Sequence, residues 1–309
     1  MKNLFAPFIA DKGIVISDGA MATELEARGA NLNHALWSAK LLKEDPQLIQ
    51  QVHYDYLIAG ADIITTASYQ ASFEGFEKNG YTKEQAVELM QLSVTLAINA
   101  RNEAMKTVSR KTQPLVAASV GPYGASLADG SEYRGNYGVS VDALKLFHRE
   151  RLKVLIDAGA DFLACETIPC IEEAIALVEL LAEFPRVYAW ISFSCKNETH
   201  ISSGENFADA IKLVSQSPQI IAAGVNCTAP QYIVSLITIA AQQTDKPIVV
   251  YPNKGETWDA VSKCWLPDTA HHNHFINDAK SWFAAGATII GGCCRTTPED
   301  IRQLQEWAS

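Results

Sequence analysis

Three cysteines that follow apolar runs offer the clearest chemistry in the sequence. Cys293 and Cys294 come directly after the segment 287–292, and Cys227 follows a second apolar run at 219–225. Neighbouring side chains of a strand point to opposite faces, so two adjacent thiols can serve one centre only where the strand ends. Three thiolates on one ion, with a fourth position open, form the ligand set of a catalytic zinc. The cysteines therefore predict a zinc site, provided that the fold brings them together.

The composition is that of an ordinary globular protein. The chain has 309 residues, 48% of them hydrophobic, and a formal net charge of −10 without a basic block, so we expect no nucleic-acid or membrane partner. No apolar run is long enough to span a bilayer, and residues 1–12 lack a signal-type segment, which predicts a cytoplasmic protein. The seven cysteines show no disulfide-like rhythm, so we expect free, catalytic or metal-bound thiols.

The hydrophobic pattern predicts eight strands, each followed by helix. The strand segments are apolar rather than alternating, as parallel strands covered on both faces should be. The predicted strands are 13–17, 62–66, 114–120, 161–165, 187–194, 219–225, 247–251 and 287–290. The predicted helices are 20–28, 46–59, 83–105, 141–158, 172–182, 207–214, 231–241, 275–285 and 298–307.

Eight such units indicate an α/β fold, a (β/α)8 TIM barrel formed as a single domain by residues 1–309. Nearly the same four-residue sequence recurs where a helix leads into a strand, at 59–62, 158–161 and 285–288, as expected for a repeated unit. A doubly wound open sheet is the alternative, but it seldom has eight units this regular. The longest irregular stretches, 121–140 and 253–274, both follow strands, on the face where barrel enzymes build their sites.

Polar residues at the carboxyl ends of barrel strands should open onto one mouth. Asp18, Thr66 and Glu166 end strands one, two and four, and the three cysteines end strands six and eight. Strands six and eight flank strand seven, so at about 4.8 Å per strand their ends lie about 10 Å apart. Inward side chains can close that gap onto one ion with Zn–S bonds of about 2.3 Å.

Each of these residues also has a purely structural interpretation. Asp18 can cap the helix that follows it, and Thr66 can bind backbone groups. Glu166 is harder to explain in this way, because a carboxylate at the end of a buried run needs a partner. Cys293 and Cys294 can instead form a vicinal disulfide, which is rarer in a reducing compartment.

The remaining cysteines and histidines of interest are interpreted as structural or solvated. Three cysteines are expected to be small packing residues, namely Cys165, Cys170 and Cys195. A histidine cluster lies near Cys264 in a polar loop and is interpreted as solvated rather than as a second metal site: His271, His272 and His274. The glycines of 121–140 show no phosphate-loop pattern, so they do not argue for a nucleotide.

Six segments, taken in chain order, together resemble the homocysteine S-methyltransferase family. They are 18–25, 66–71, 119–124, 165–167, Gly-Val-Asn-Cys at 224–227 and Gly-Gly-Cys-Cys at 291–294. The resemblance implies a zinc-dependent (β/α)8 barrel with Zn²⁺ bound by the three cysteines, Cys227, Cys293 and Cys294. It also implies that Asp18 and Glu166 hold the amino group of homocysteine. Thr66 and Asn226 are placed in the same substrate site.

The resemblance implies transfer of a methyl group to the thiol of L-homocysteine, which forms methionine. The stretch 121–135 is most similar to bacterial members that use S-methylmethionine, with S-adenosylmethionine as a second donor. We further hypothesise that aromatic residues of this loop face the sulfonium: Tyr123, Tyr133 and Tyr137. The chain leaves no room for the cobalamin and folate domains of some relatives and stops before the oligomerisation extension of others, so we expect a monomer or weak oligomer with small-molecule substrates.

Three other functions remain open from the sequence. Betaine can serve as the donor on the same site, and a non-catalytic zinc or redox-sensing protein can use the same cysteines. A metal-assisted hydrolase is the third alternative, but it would use histidine or carboxylate ligands with a nearby base for water. Three thiolates suit alkyl transfer better.

Overall fold

The computed structural model describes residues 4–32, 36–255, 257–259, 264–266 and 275–309. Eight parallel strands form one sheet: β1 (Val15–Ile16), β2 (Ile63–Thr65), β3 (Leu115–Val120), β4 (Phe162–Ile168), β5 (Ala189–Phe193), β6 (Ile220–Asn226), β7 (Ile248–Tyr251) and β10 (Ile289–Ile290). The strand order is β1-β10-β7-β6-β5-β4-β3-β2. A parallel bridge between Ser17 and Ile63 brings the two ends of the sheet together. The predicted (β/α)8 barrel is therefore confirmed, and the open sheet is wrong.

Helices cover the outside of the barrel. They are α1 (Ala6–Lys12), α2 (Met21–Ala27), α3 (Leu41–Glu44), α4 (Pro46–Ala59), α5 (Phe73–Lys78), α6 (Lys83–Thr107), α7 (Tyr123–Leu127), α8 (Val141–Asp157), α9 (Ile171–Leu181), α10 (Phe207–Ser215), α11 (Ile233–Ala241), α12 (Phe275–Ala285) and α13 (Pro298–Ala308). Each predicted helix is present, with ends shifted by at most two residues. In the described part of the chain, no helix has the length and apolar character needed to cross a membrane.

The repeated joints between helix and strand have a common backbone conformation. Gly60, Gly159 and Gly286 have φ angles of 119°, 94° and 115°. This left-handed region is open to glycine at little steric cost, so each glycine ends its helix and turns the chain into the next strand. The recurrence noted in the sequence thus reflects one turn used three times.

An unpredicted helix closes the amino-terminal end of the barrel. Phe5, just before α1, packs edge-on against Phe162, the first residue of β4, with ring centroids 5.7 Å apart. Phe5 and Phe8 join an inner core of buried strand residues that includes Trp190 and Val249. A larger outer core lies between the strands and the surrounding helices. The barrel interior is packed at this end, which leaves the carboxyl end of the strands for the site.

The two long stretches predicted to be irregular contain regular structure. The first, 121–140, holds α7 and a 3-10 helix at Ser131–Tyr133. The second, 253–274, holds an antiparallel hairpin of β8 (Thr257–Asp259) and β9 (Cys264–Leu266). The histidine cluster His271, His272 and His274 lies outside the described residues, so its predicted solvation stays a prediction.

Replacing Gly224 with alanine is expected to destabilise the barrel by about 3 kcal/mol or more. A Cβ atom on Gly224 in β6 would lie 1.9 Å from the carbonyl oxygen of Val249 in β7. Backbone cannot move aside as a flexible side chain can, so the two strands would have to separate. The free energy of unfolding in urea measures the loss. Gly80→Ala is the control, because its Cβ meets nothing within 4 Å and only its φ of 80° is strained; it should cost about 1–2 kcal/mol. Equal losses would contradict the proposed contact.

Candidate metal and substrate site

The three cysteines meet at the carboxyl end of the barrel. Their sulfur atoms all lie within 4.8 Å of one another. The Sγ atoms of Cys227 and Cys294 are 3.8 Å apart, and those of Cys293 and Cys294 are 4.0 Å apart. These separations are too long for a disulfide, and all three thiols are free. The vicinal-disulfide alternative is wrong for this structure, and the predicted convergence is confirmed.

Main-chain hydrogen bonds to the end of β7 hold the cysteines in place. The Cys227 amide donates to the Tyr251 carbonyl oxygen at 3.1 Å, and the Cys293 amide donates to that of Pro252 at 2.8 Å. Cys227 adopts the left-handed conformation, with a φ of 47°, which is uncommon for a residue other than glycine. Because both contacts involve consecutive residues of one strand end, β7 serves as the spacer between the two ligand positions.

The three cysteine thiols influence one another's ionisation. Hydrogen bonds from the Cys293 and Cys294 thiols and from the Tyr133 hydroxyl lower the pKa of Cys227. The Tyr133 hydroxyl oxygen lies 3.2 Å from the Cys227 sulfur. The thiolate at Cys227 in turn raises the pKa of the other two cysteines. All three sulfurs would therefore ionise together only beside a positive charge, and three cysteine thiolates are a ligand set that tetrahedral metal sites use.

Asp18 and Glu166 are buried carboxylates at the same end of the barrel. Asp18 accepts hydrogen bonds from the backbone amide of Thr65 at 2.8 Å and from its hydroxyl. Ser119 donates its hydroxyl hydrogen to Glu166. Burial, the largest effect, raises the pKa of Asp18 to about 8 and that of Glu166 to about 7, and the charge of Glu166 adds to the shift of Asp18. Among the described residues, no lysine or arginine forms an ion pair with either carboxylate.

The helix-cap interpretation of Asp18 is wrong. The N-cap position of α2 is Ala20, and no side chain caps that helix. Asp18 instead joins the ends of neighbouring strands, because its carboxylate binds Thr65 of β2 and its carbonyl oxygen accepts from the Gly292 amide at 3.0 Å. The carboxylate is thus fixed beside the segment that carries the cysteine pair.

Thr66 and Asn226 make their hydrogen bonds within the protein. The Thr66 hydroxyl accepts from the Ser119 amide at 3.0 Å. The side-chain Oδ1 atom of Asn226 accepts from the Thr167 amide at 2.7 Å and from the Ser192 hydroxyl at 2.8 Å. Asn226 is 1% exposed. Both residues therefore support the strand ends around Glu166, and their direct contact with substrate stays a prediction.

A buried polar network, which sequence reasoning did not identify, holds the segment 121–140 that follows β3, called the third loop below. Glu173 of α9 is fully buried and accepts from the Tyr123 amide at 2.6 Å and the Tyr137 hydroxyl at 3.1 Å. Its carboxylate also lies 2.8 Å from Nε2 of His148. Tyr137 therefore turns its hydroxyl into this network, while Tyr133 faces the cysteines. Glu173 can bind these groups because it is buried. The sequence gave no sign of this, because Glu173 lies in an amphipathic helix, where a glutamate is ordinarily exposed.

Arg151 of α8 connects the third loop with the second loop, which is the segment 66–72 after β2. Its guanidinium group donates to the carbonyl oxygens of Gly121 at 2.8 Å, Ser68 at 3.0 Å and Tyr69 at 2.6 Å. Burial lowers the pKa of Arg151 to about 10, so the group stays charged at neutral pH. A single side chain thus sets the spacing between two loops at the mouth of the barrel.

The other described cysteine thiols lie away from the cluster. Cys165, Cys170 and Cys195 are buried, with at most 8% exposure. Burial raises the pKa of Cys165 to about 12, which keeps its thiol neutral. The expectation that these three are packing residues is confirmed. Together, the carboxyl end of the barrel holds a cluster of soft ligands, two buried carboxylates and a loop of aromatic residues.

Comparison with known proteins gives the same class. The family model for homocysteine S-methyltransferase matches residues 15–308. The chain is 53% identical to homocysteine S-methyltransferase YbgG of Bacillus subtilis over 298 residues, covering 96% of this chain and 94% of that protein. It is 50% identical to the homocysteine S-methyltransferase of Escherichia coli over 303 residues, which is 98% of each chain. The chain therefore belongs to the homocysteine S-methyltransferase family and is a methyltransferase.

A solved structure supports both the fold and a metal. The metallated form of the homocysteine methyltransferase MmuM from Escherichia coli superposes with a TM-score of 0.89 at 45% identity, covering 98% of this chain and 99% of that chain. The metal in that structure belongs to that protein. Among the residues that the present structure describes, the three converging sulfurs form a group that could hold a metal ion.

Proposed function

We propose that the protein transfers a methyl group from S-methylmethionine to the sulfur of L-homocysteine, with zinc bound by Cys227, Cys293 and Cys294. The observation that carries the proposal is the convergence of three sulfurs within 4.8 Å. At the same mouth stand two carboxylates, Asp18 and Glu166, that form no ion pair within the described part of the chain. Transfer to homocysteine agrees with family membership, and zinc and the donor are the more specific parts of the proposal.

The ligand set favours zinc. Thiolates are soft ligands, and a three-sulfur site leaves the fourth tetrahedral position for a substrate. When bound, zinc would lower the pKa of a homocysteine thiol, which is about 8.5 in water, and so supply a thiolate at neutral pH. The Tyr133 hydroxyl, 3.2 Å from the Cys227 sulfur, supports the charged form of that ligand. A hydrolase is disfavoured because no histidine or carboxylate joins the cluster among the described residues.

Asp18 and Glu166 supply the binding site for the homocysteine ammonium group. Both carboxylates are at most 8% exposed, and their pKa values are raised because burial disfavours the charge. A substrate ammonium would restore the missing positive charge and would hold both carboxylates ionised. The amino end of homocysteine is then anchored, so that its sulfur is directed toward the three cysteines. Positioning of this kind supplies much of the rate of a bimolecular transfer.

The sulfonium donor needs little acid–base help from the protein. The bond between the methyl carbon and the homocysteine sulfur forms as the bond to the donor sulfur breaks, and the donor sulfur keeps the electron pair. The leaving group is a neutral thioether, so no residue has to donate a proton. The third loop, held by Glu173 and Arg151, closes the donor side of the site, with the Tyr133 ring next to Cys227.

Competition between donors tests the donor assignment. With purified, zinc-loaded protein and homocysteine, we expect the highest kcat/KM for S-methylmethionine, a lower value for S-adenosylmethionine and almost none for betaine. The sequence contains no glycine-rich nucleotide turn that would bind the adenosyl group. The measurement is methionine formation from an equimolar mixture of isotopically distinguished donors. A higher kcat/KM for betaine than for either sulfonium would overturn the donor assignment and leave the zinc and homocysteine assignments standing.

A further inference from the structure

We propose that the Glu132 carboxylate binds the α-ammonium group of the methyl donor and so selects amino-acid donors; this inference deepens the proposed function and rests on it. Glu132 lies in the 3-10 helix Ser131–Tyr133 of the third loop. The next residue, Tyr133, places its hydroxyl oxygen 3.2 Å from the Cys227 sulfur. Glu132 is therefore carried by the same short helix as the tyrosine that contacts the ligand cluster.

One oxygen of the Glu132 carboxylate, Oε2, is buried without a hydrogen-bond partner. No lysine, arginine or histidine forms an ion pair with it in the described part of the chain, and the nearby Arg134 pairs with Asp129 at 3.5 Å. An unpaired buried carboxylate oxygen carries a substantial desolvation cost. A ligand that donates a hydrogen bond and carries positive charge would remove that cost.

The backbone fixes Glu132 in this position. Its carbonyl oxygen accepts from the Ser194 hydroxyl at 3.3 Å, and the following Gly135 amide donates to the Ser131 carbonyl oxygen at 2.9 Å. The loop packs so closely that a Cβ on Gly124 would lie 2.6 Å from the Glu132 amide nitrogen. The side chain is thus presented by a tightly packed segment, as recognition of a substrate group requires.

The Oε2 atom of Glu132 needs a hydrogen-bond donor, which decides between the two positive groups of the methyl donor. A sulfonium centre has no hydrogen to donate, whereas an ammonium group has three. Asp18 and Glu166 are assigned to the ammonium of homocysteine, so a third carboxylate on a different element is left for the second substrate. Betaine carries a quaternary nitrogen without hydrogen and could not satisfy Oε2. Glu132 therefore provides a reason for the protein to favour amino-acid sulfonium donors.

Binding of S-methylmethionine to zinc-loaded protein, measured by calorimetry without homocysteine, tests the inference directly. Glu132→Gln is expected to weaken this binding about 10–100-fold, because a charge-assisted hydrogen bond is lost. The matched probe is (3-carboxypropyl)dimethylsulfonium, which is S-methylmethionine without its amino group. It should bind wild type and Glu132→Gln equally, within about twofold, and more weakly than S-methylmethionine binds wild type. The KM for homocysteine should stay unchanged.

Control variants separate recognition from folding. Glu132→Asp keeps the charge and should recover part of the affinity. Asp142→Asn removes an exposed carboxylate at the start of α8 and should bind like wild type. Thermal unfolding and metal content identify any variant that fails to fold. Equal weakening of both probes by Glu132→Gln, or no weakening of either, would overturn the inference. A wild type that binds S-methylmethionine in this pattern without methylating homocysteine would instead overturn the proposed function and leave the role of Glu132 intact.

Discussion

Serine in place of Cys227, Cys293 or Cys294 is expected to remove the bound metal and to lower homocysteine methylation by about three orders of magnitude or more. The three sulfurs lie within 4.8 Å of one another, so each is needed to complete a three-thiolate set. A serine hydroxyl is a harder ligand and is not ionised at neutral pH, so it is a poor replacement. Metal-ion catalysis contributes several kcal/mol to transition-state stabilisation, and each 1.36 kcal/mol corresponds to a tenfold change in rate.

The measurements are metal per chain after dialysis and the rate of methionine formation. Cys170→Ser is the matched control, because Cys170 is buried at the N-cap of α9 and makes no side-chain capping bond there. Serine is a favourable N-cap residue, so this variant should fold and keep its metal. If any of the three ligand variants retained one metal ion per chain, that residue would have to be removed from the ligand set.

Glu166→Gln is expected to weaken homocysteine binding and to make the metal-free protein more stable. Loss of a charge-assisted hydrogen bond to the substrate ammonium should raise the KM for homocysteine about 10–100-fold. Without substrate, the buried carboxylate is costly, as the rise of its pKa to about 7 shows. The neutral amide avoids this cost, so a substitution that impairs binding should raise the free energy of unfolding by about 1–3 kcal/mol at pH 8.

The sign of this stability effect follows from where the proton is bound. The pKa of Glu166 is raised from an ordinary value of 4.5 to about 7 in the folded protein. Between these two values the folded state holds a proton that the unfolded state has lost, so wild-type stability falls as pH rises through this window. Glu166→Gln should lack this part of the pH dependence and match wild type near pH 4.5. The difference should be largest above pH 7.

Urea unfolding from pH 4.5 to 8 and homocysteine kinetics at pH 8 provide the two measurements. Glu172→Gln, an exposed carboxylate on α9, is the control and should change neither quantity appreciably. A variant with wild-type KM for homocysteine would rule out Glu166 as an ammonium ligand. A variant less stable than wild type at pH 8 would instead show that the hydrogen bond from Ser119 to the carboxylate outweighs the cost of burying its charge.

The sequence was sufficient to predict the barrel and its ligand cluster. Apolar segments and repeated joints specify parallel strands, and strand order then follows from the barrel topology. Cys227 and the pair at 293–294 were therefore expected to meet across β7, and their sulfurs lie within 4.8 Å. The helix α1 was not predicted, because seven residues at Ala6–Lys12 are too few to show a clear period. Its packing against the strands stabilises it.

Residues whose importance depends on burial could not be predicted. Glu132 lies in a loop without periodicity, and only the structure shows that its Oε2 atom is buried without a partner. Glu173 and Arg151 lie on helices where charged residues are ordinarily solvated, yet both are inside. Thr66 and Asn226, both at strand ends, were assigned to the substrate site through the family resemblance, and their observed hydrogen bonds reach protein groups. Position along a strand does not specify the partner of a side chain.

The way in which the third loop is held has a consequence for protein engineering. The loop is anchored by Glu173 of α9 and Arg151 of α8, which bind its backbone at Tyr123 and Gly121 from behind. The side chains of Glu132 and Tyr133 make no part of that anchoring. New donor preferences should therefore be obtainable by varying these two positions alone. A loop transplanted whole into another barrel would keep its shape only if the two anchoring residues on the host helices were transplanted with it.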